Sequence, residues 1–261
     1  MMYGLKLALM MMFRLSGVMP IHNEEEYLPY CLASLQDAPL HELVVLIDSC
    51  NDRSEEIIRK FNSSFPVKVA YAKGFEWKNR ISELTEQAFS LCEGEIIFPL
   101  FADVIYDKRI FDTKPFEHYD MISFRGIDRD LYTPLWRTTY ETFLSSMFEK
   151  IDFKEVVWRG CIFGTKREVW KKLGFKDITS NFGEHLQFRD YRDRLVNAGY
   201  KYLYVRNREN IHLRTTTFTK ETQIQEGCLR ANKHYPFWRV ALHSLIHLKP
   251  HVFTGYMRGK N

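Results

Sequence analysis

Residues 13–35, FRLSGVMPIHNEEEYLPYCLASL, hold a short apolar run ended by Pro20, then a polar turn, then a second apolar pattern. Leu28, Cys31, Leu32 and Leu35 recur three and four apart, as on one face of a helix. Asn23 with Glu26 three positions on has capping-box spacing and predicts that this helix starts there. The alternation then repeats. Leu43 to Ile47 reads as a buried strand, and Asp52 with Glu55 opens a short helix toward Phe61. Val67 to Tyr71 reads as a third strand, Ile81, Leu84, Ala88 and Leu91 mark a third helix, and Glu95 to Leu100 is a fourth strand. Four strand–helix alternations in about 100 residues predict an α/β protein with a mostly parallel central sheet and helices on both faces.

The second half is less regular. Thr165 and Glu168 read as the cap of a helix that Gly174 ends, a longer helix runs from Leu186 to Asn197 and stops at Gly199, and Tyr202 to Val205 forms a strand. Phe237 to Leu248 reads as a helix with Pro250 behind it. No repeat, low-complexity tract or Pro/Gly linker divides the chain, so a single domain is expected over 1–261. Its parts run from about 13 to 105, from about 106 to 235, and, as a basic C-terminal helix, from about 236 to 261.

The 261 residues are 45% apolar and 27% charged, which excludes a disordered or collagen-like chain. No apolar run approaches the ~18–20 residues of a membrane-spanning helix. The net charge of +4 conceals an asymmetry: residues 201–261 carry 11 Lys/Arg against 3 Asp/Glu. Such a region suits a phosphate-bearing substrate, an anionic membrane surface or nucleic acid. Five scattered cysteines (31, 50, 92, 161 and 228), an odd number without CxxC spacing, fit neither a disulfide framework nor a zinc cage, and suit a reducing compartment. Leu5 to Phe13 is apolar, yet no small-x-small cleavage site follows, so a cytoplasmic protein is expected.

In open parallel sheets ligands bind where loops leave the carboxyl ends of strands. After the first strand come Pro20, His22, Asn23 and Glu24; after the second, Asp48 to Ser54; after the fourth, Ala102, Asp103 and Asp107. Three acidic or amide-bearing loops at one sheet edge are what a metal-assisted nucleotide site requires. The plainer alternative makes Asn23 and Asp52 helix caps and Asp103 a turn residue. The chain lacks GxGxxG, GxxxxGK[ST] and GxSxG, so a dinucleotide dehydrogenase, a P-loop ATPase and a serine hydrolase are disfavoured.

The order of segments adds a resemblance. Val18-Met19-Pro20-Ile21-His22-Asn23-Glu24-Glu25, followed by Leu28, Cys31, Leu32 and Leu35, resembles the opening P-x-x-N-E-x-x-x-L of family 2 glycosyltransferases of the GT-A fold. Val44 to Ser54 is similar to that family's strand followed by D-x-x-x-D-x-[ST]. Lys78-Asn79-Arg80 falls at its A-R-N-like element, and Phe98 to Val104 falls at its D-x-D motif. Gly160-Cys161 to Trp170, Gly183-Glu184-His185 and Ala198 to Lys201 follow the order of its acceptor half. Two departures stand out. The D-x-D reads Phe101-Ala102-Asp103, and the family's Glu-Asp pair reads Glu184-His185.

The resemblance implies a metal-dependent, inverting transferase that moves a sugar from a nucleotide-diphosphate donor to an acceptor hydroxyl on a glycan, a lipid-linked group or a protein. It assigns Asp103 to a Mn²⁺ or Mg²⁺ ion with help from His212. It assigns Asp48 to the nucleobase or ribose, Pro20, Asn23, Glu24 and Ala102 to the loops around the nucleotide, and Lys78 or Arg80 to the diphosphate. For the base, His185 holds the family position while Glu184 carries the family chemistry, and either accepts a proton near neutrality; Glu184 is preferred. Trp136, Trp158 and Tyr191 read as core, one of them a candidate to stack on a sugar. In the tail, a helix packed on the domain is preferred to one lying on an anionic membrane. The competing readings are a catalytically inactive nucleotide-sugar or glycan-binding protein on the same fold, a nucleotidyltransferase, and nucleic-acid binding through the tail, the last not expected.

Overall fold

All six residues of Glu42–Ile47 are buried, as a strand with neighbours on both edges and layers on both faces must be. This strand, β2, lies second in the sheet of the computed structural model, which describes residues 13–74, 80–128, 139–140, 143, 162–176, 186–214, 220–232, 234–246 and 248–260. The order of elements is β1 (Leu15–Ile21), α1 (Leu28–Leu35), β2, α2 (Ser54–Lys60), β3 (Val67–Tyr71), α3 (Arg80–Ser90), β4 (Ile96–Pro99) and β5 (Val104–Ile105). Two 3₁₀ turns follow, then β6 (Met121–Asp128), β7 (Phe163–Lys166), α4 (Arg167–Leu173), α5 (Leu186–Asn197), β8 (Tyr202–His212), α6 (Lys220–Asn232), α7 (Phe237–Ile246) and α8 (Pro250–Lys260).

One sheet runs β3-β2-β1-β4-β7-β6-β8-β5. The four strands from β3 to β4 are parallel, with Gly17 opposite both Leu43 and Phe98. Beyond β4 the pairings β4–β7, β6–β7 and β5–β8 are antiparallel. The α/β architecture expected from the first 100 residues is therefore present, with β1 between β2 and β4. Pro20 is tolerated in this central strand for a local reason. The β4 ladder ends where the Leu100 N–H donates to the Val18 carbonyl, so the next edge position that faces β4 needs no donor.

The chain divides into two compact units: residues 1–127, 159–177 and 187–213, and residues 128–158, 178–186 and 214–261. In the first, Phe98 is fully buried, with the rings of Phe111, Phe116 and Phe124 between 5.3 and 6.3 Å away. Gly164 on β7 makes room for it: a Cβ there would meet Phe98 Cζ at 2.5 Å. In the second, α6 and α8 pack backbone to backbone. A Cβ on Gly227 would fall 2.0 Å from the Val252 carbonyl oxygen, and one on Gly255 equally close to that of Ile224.

Several expectations are corrected. Asn23 is no helix cap; it sits in a left-handed turn at φ +55°, and α1 opens only at Leu28, without a side-chain cap. Its side-chain oxygen is engaged across the sheet edge, accepting the Asn51 N–H at 2.8 Å. Thr165 is not a cap either. It is buried in β7 with its hydroxyl 2.9 Å from that of Tyr191, and α4 starts two residues later. β8 continues from Tyr202 to His212, well past Val205. Pro250 does not follow the last helix but opens another, α8, since its fixed φ and missing N–H suit a first turn.

Candidate functional site

The loops after β1 and β2 are laced together by their own polar groups. The Glu24 N–H donates to Ser54 Oγ (2.7 Å), the Glu25 N–H to Asp52 Oδ2 (3.0 Å) and the Arg53 N–H to Glu25 Oε2 (3.1 Å). Asp52 also accepts the Ser54 N–H, so both its oxygens stabilise the start of α2 and the neighbouring loop. Burial pushes its carboxyl up, but these N–H donors and the Ser54 hydroxyl hold it below the usual carboxylate range. Asp52 thus ties the loop after β1 to the start of α2.

Asp48, at the end of β2, is buried. His22 Nδ1 lies 2.6 Å from its carbonyl oxygen, which can only accept, so Nδ1 carries the proton. Both carboxylate oxygens of Asp48 accept from one guanidinium: Arg80 Nε donates to Oδ2 at 2.8 Å and Nη2 donates to Oδ1. Arg80 is the first residue of α3 and half exposed. The sequence suggested separate ligand roles for Asp48 and Arg80; the tertiary structure makes them one fork-on-fork pair. Pro20 and Glu24 are half-buried beside them at the strand end.

The loop after β4 is tied down by Tyr106, whose hydroxyl accepts the Phe101 N–H at 2.5 Å, and by the Cys31 thiol, which donates to the Phe101 carbonyl. Ala102 is buried. Asp103 then meets His212: Oδ2 stands 3.1 Å from Nε2, both side chains partly accessible. The backbone dictates this meeting. β5 and β8 run antiparallel with Val104 opposite His212, and the Leu213 N–H donates to the Asp103 carbonyl at 2.7 Å. Fully buried Asn210 anchors the same strand, accepting the Asp107 N–H and donating to the Arg125 carbonyl. Burial first, and the Asp103 and Glu24 charges after it, hold the Cys31 thiol well above its ordinary value, so it is a packed thiol and no nucleophile.

The carboxylate suits Mn²⁺ or Mg²⁺, while the imidazole, a borderline nitrogen ligand, favours Mn²⁺ over the harder, oxygen-seeking Mg²⁺. Two ligands at ~2.1 Å in adjacent octahedral positions stand about 3 Å apart, which the 3.1 Å separation matches. Among the described residues no group of three or more His, Cys, Asp or Glu comes together. Lys78, Glu184, His185, Trp136 and Trp158 lie outside the described residues. Tyr191 is core: it is fully buried, 5.1 Å from Phe175. Cys31, Cys50, Cys92 and Cys228 are free thiols. Among the described residues no helix is long and apolar enough to cross a membrane.

Acidic loops gather at the carboxyl ends of β1, β2 and β4, with the β5–β8 pairing behind Asp103, an arrangement that agrees with the GT-A fold. Residues 16–173, more than half of the chain, match Glycosyl transferase family 2, and the chain belongs to that family. No curated protein matches it. Glucosyl-3-phosphoglycerate synthase from Mycobacterium tuberculosis, solved with Mn²⁺, UDP and phosphoglyceric acid, is similar at TM-score 0.55 and 16% identity, covering 86% of this chain and 80% of its own. The same enzyme with Mn²⁺, UDP-glucose and glycerol 3-phosphate gives 0.54 and 17%, over 86% and 82%. A mycobacterial protein described only as such gives 0.56 and 16%, over 86% and 76%. At these identities the likeness concerns the fold.

Proposed function

We propose that this glycosyltransferase moves a sugar from a nucleotide-diphosphate donor to an acceptor hydroxyl, inverting the transferred carbon and using Mn²⁺ or Mg²⁺ beside Asp103 and His212. The observation that carries this reading is the Asp103–His212 pair, a carboxylate on the loop after β4 and an imidazole at the end of β8, at ligand spacing. UDP-sugars are the donors to try first, because similar folds were crystallised with UDP and UDP-glucose.

A divalent cation, when bound, neutralises the charge that grows on the departing diphosphate. The chain's own residues do the rest. The loops of Pro20 to Glu24 and Asp48 to Ser54 wrap the nucleoside, with Asp48 as acceptor for a base N–H or sugar hydroxyl. Lys78 or Arg80, around the start of α3, brings positive charge to the diphosphate, with Arg80 also forked to Asp48. Glu184 or His185 takes the proton from the acceptor hydroxyl as it attacks opposite the leaving group. The second reading, a sugar-nucleotide-binding protein without turnover, rests on Phe101, which stands where the D-x-D motif has its first acid, and on Glu184-His185 in place of the family's Glu-Asp pair.

The test is calorimetry with UDP and Mn²⁺ together with a donor-turnover assay, on the parent and on Asp103→Asn. The expected outcome is Mn²⁺-dependent UDP binding and turnover in the parent, both lowered at least ~100-fold by the substitution. Binding without turnover in the parent favours the second reading. UDP binding equally tight with and without Mn²⁺ refutes the assignment of Asp103.

A further inference from the structure

The helices α6, α7 and α8 of the second unit carry a charge arrangement that the sugar-transfer reading does not use. From Gly227 to Asn261 the chain has six Lys or Arg and no Asp or Glu. Glu226, just before this stretch, gathers the inward cations. Arg230 Nη2 lies 2.6 Å and His243 Nε2 3.2 Å from its Oε1, and Lys249 Nζ lies 3.6 Å from Oε2. Arg239, Arg258 and Lys260 are left exposed on the outside.

α7 is apolar on two faces. Val240 and Ser244 point inward and are buried, and Phe237 packs on Phe253 of α8 with ring centroids 5.3 Å apart. The opposite face holds Trp238, Leu242 and Leu245, four and three residues apart and therefore in one row. They are 61%, 48% and 73% exposed. Arg239 stands over the Trp238 ring at 5.4 Å, placing a cation at the edge of the row.

We propose that this outward face of α7 lies on an anionic lipid surface, with Trp238, Leu242 and Leu245 among the upper acyl chains, Arg239 against lipid phosphates, and the exposed Arg258 and Lys260 adding longer-range attraction. Charge decides for lipid over a second copy of the chain. Two copies meeting face to face would bring their exposed cations together without an acid from this segment to offset them. The row also offers only roughly 300 Å² of apolar surface, well short of the ~800 Å² per partner of a stable protein interface. That area is ample for reversible seating at a headgroup boundary reinforced by basic residues. Asp48, Arg80, Asp103 and His212 all belong to the other unit.

The test is co-sedimentation of the full chain with vesicles of phosphatidylcholine alone and of phosphatidylcholine with phosphatidylglycerol. Binding is expected to the anionic vesicles, to fall several-fold between low salt and ~0.5 M salt, and to be weak on the neutral ones. The variant Leu242→Glu/Leu245→Glu should lower the partition coefficient at least ~10-fold with its thermal midpoint kept. Leu91→Glu, an exposed leucine of the first unit, should bind as the parent does. No sedimentation with anionic vesicles, equal binding to neutral ones, or undiminished binding of the double variant overturns the proposal. So does a concentration-dependent dimer in gel filtration that the double variant abolishes.

Discussion

Replacing Arg80 by Met isolates the energetics of the donor-side pair. Asp48 is buried, and among the described residues its carboxylate oxygens both accept from the Arg80 guanidinium. Removing one partner of a fully buried ion pair costs ~3–5 kcal/mol. Arg80 is half exposed, so water replaces part of the lost interaction and about 1–2 kcal/mol is expected. For a unit of this size that lowers the melting midpoint by ~2–8 °C. Circular dichroism melts of the parent, Arg80→Met, Asp48→Asn and the double variant form a cycle. The double variant should be less destabilised than the two single losses added together, because it leaves no stranded charge. A single Arg80→Met variant that melts like the parent, or strictly additive losses, would refute the claim that this pair holds the end of β2 to the start of α3.

The remaining expectations concern the site, the helical unit and pH. Asp103→Asn should abolish Mn²⁺-linked UDP binding while leaving the fold intact, as read by calorimetry and a melt. Gly255→Ala should cost ~3 kcal/mol or more and open the second unit to limited proteolysis, because its Cβ would sit 2.0 Å from the Ile224 carbonyl oxygen; unchanged protease resistance would show that α6 and α8 do not pack this closely. Glu42 is buried, and burial alone would raise its pKa. The Lys68 ammonium, the Ser16 hydroxyl and the Glu93 N–H outweigh that effect and hold it below the usual carboxylate range. A depressed value contributes stability above the ordinary Glu pKa of ~4.3 and loses it as pH falls through the folded value. The gap in melting temperature between the parent and Glu42→Gln should therefore be full near neutrality and close with acid; a gap that is constant with pH would contradict the sign.

Much of the first half is readable from short-range pattern. Leu43 to Ile47 is a run of large aliphatic residues between polar turns, and only a strand covered on both faces buries such a run. The start of α1 is misread because the same Asn23 that suits a cap also suits a left-handed turn, and its partner, the Asn51 N–H, belongs to another loop. β5 is two residues long and β7 four. Neither carries enough alternation to announce itself, and both exist because a neighbouring strand pairs with them.

The candidate site follows the same division. That Asp48 and Asp103 sit just past strands is legible locally, since an acid ending an apolar run at a sheet edge has few other places to go. That Asp48 is forked by Arg80, and that Asp103 faces His212 rather than open solvent, depends on strand order and on the antiparallel register of β5 against β8. Periodicity along a chain reports which residues seek the interior. It carries no information about which distant segment arrives to meet them, because that choice belongs to the packing of the whole sheet.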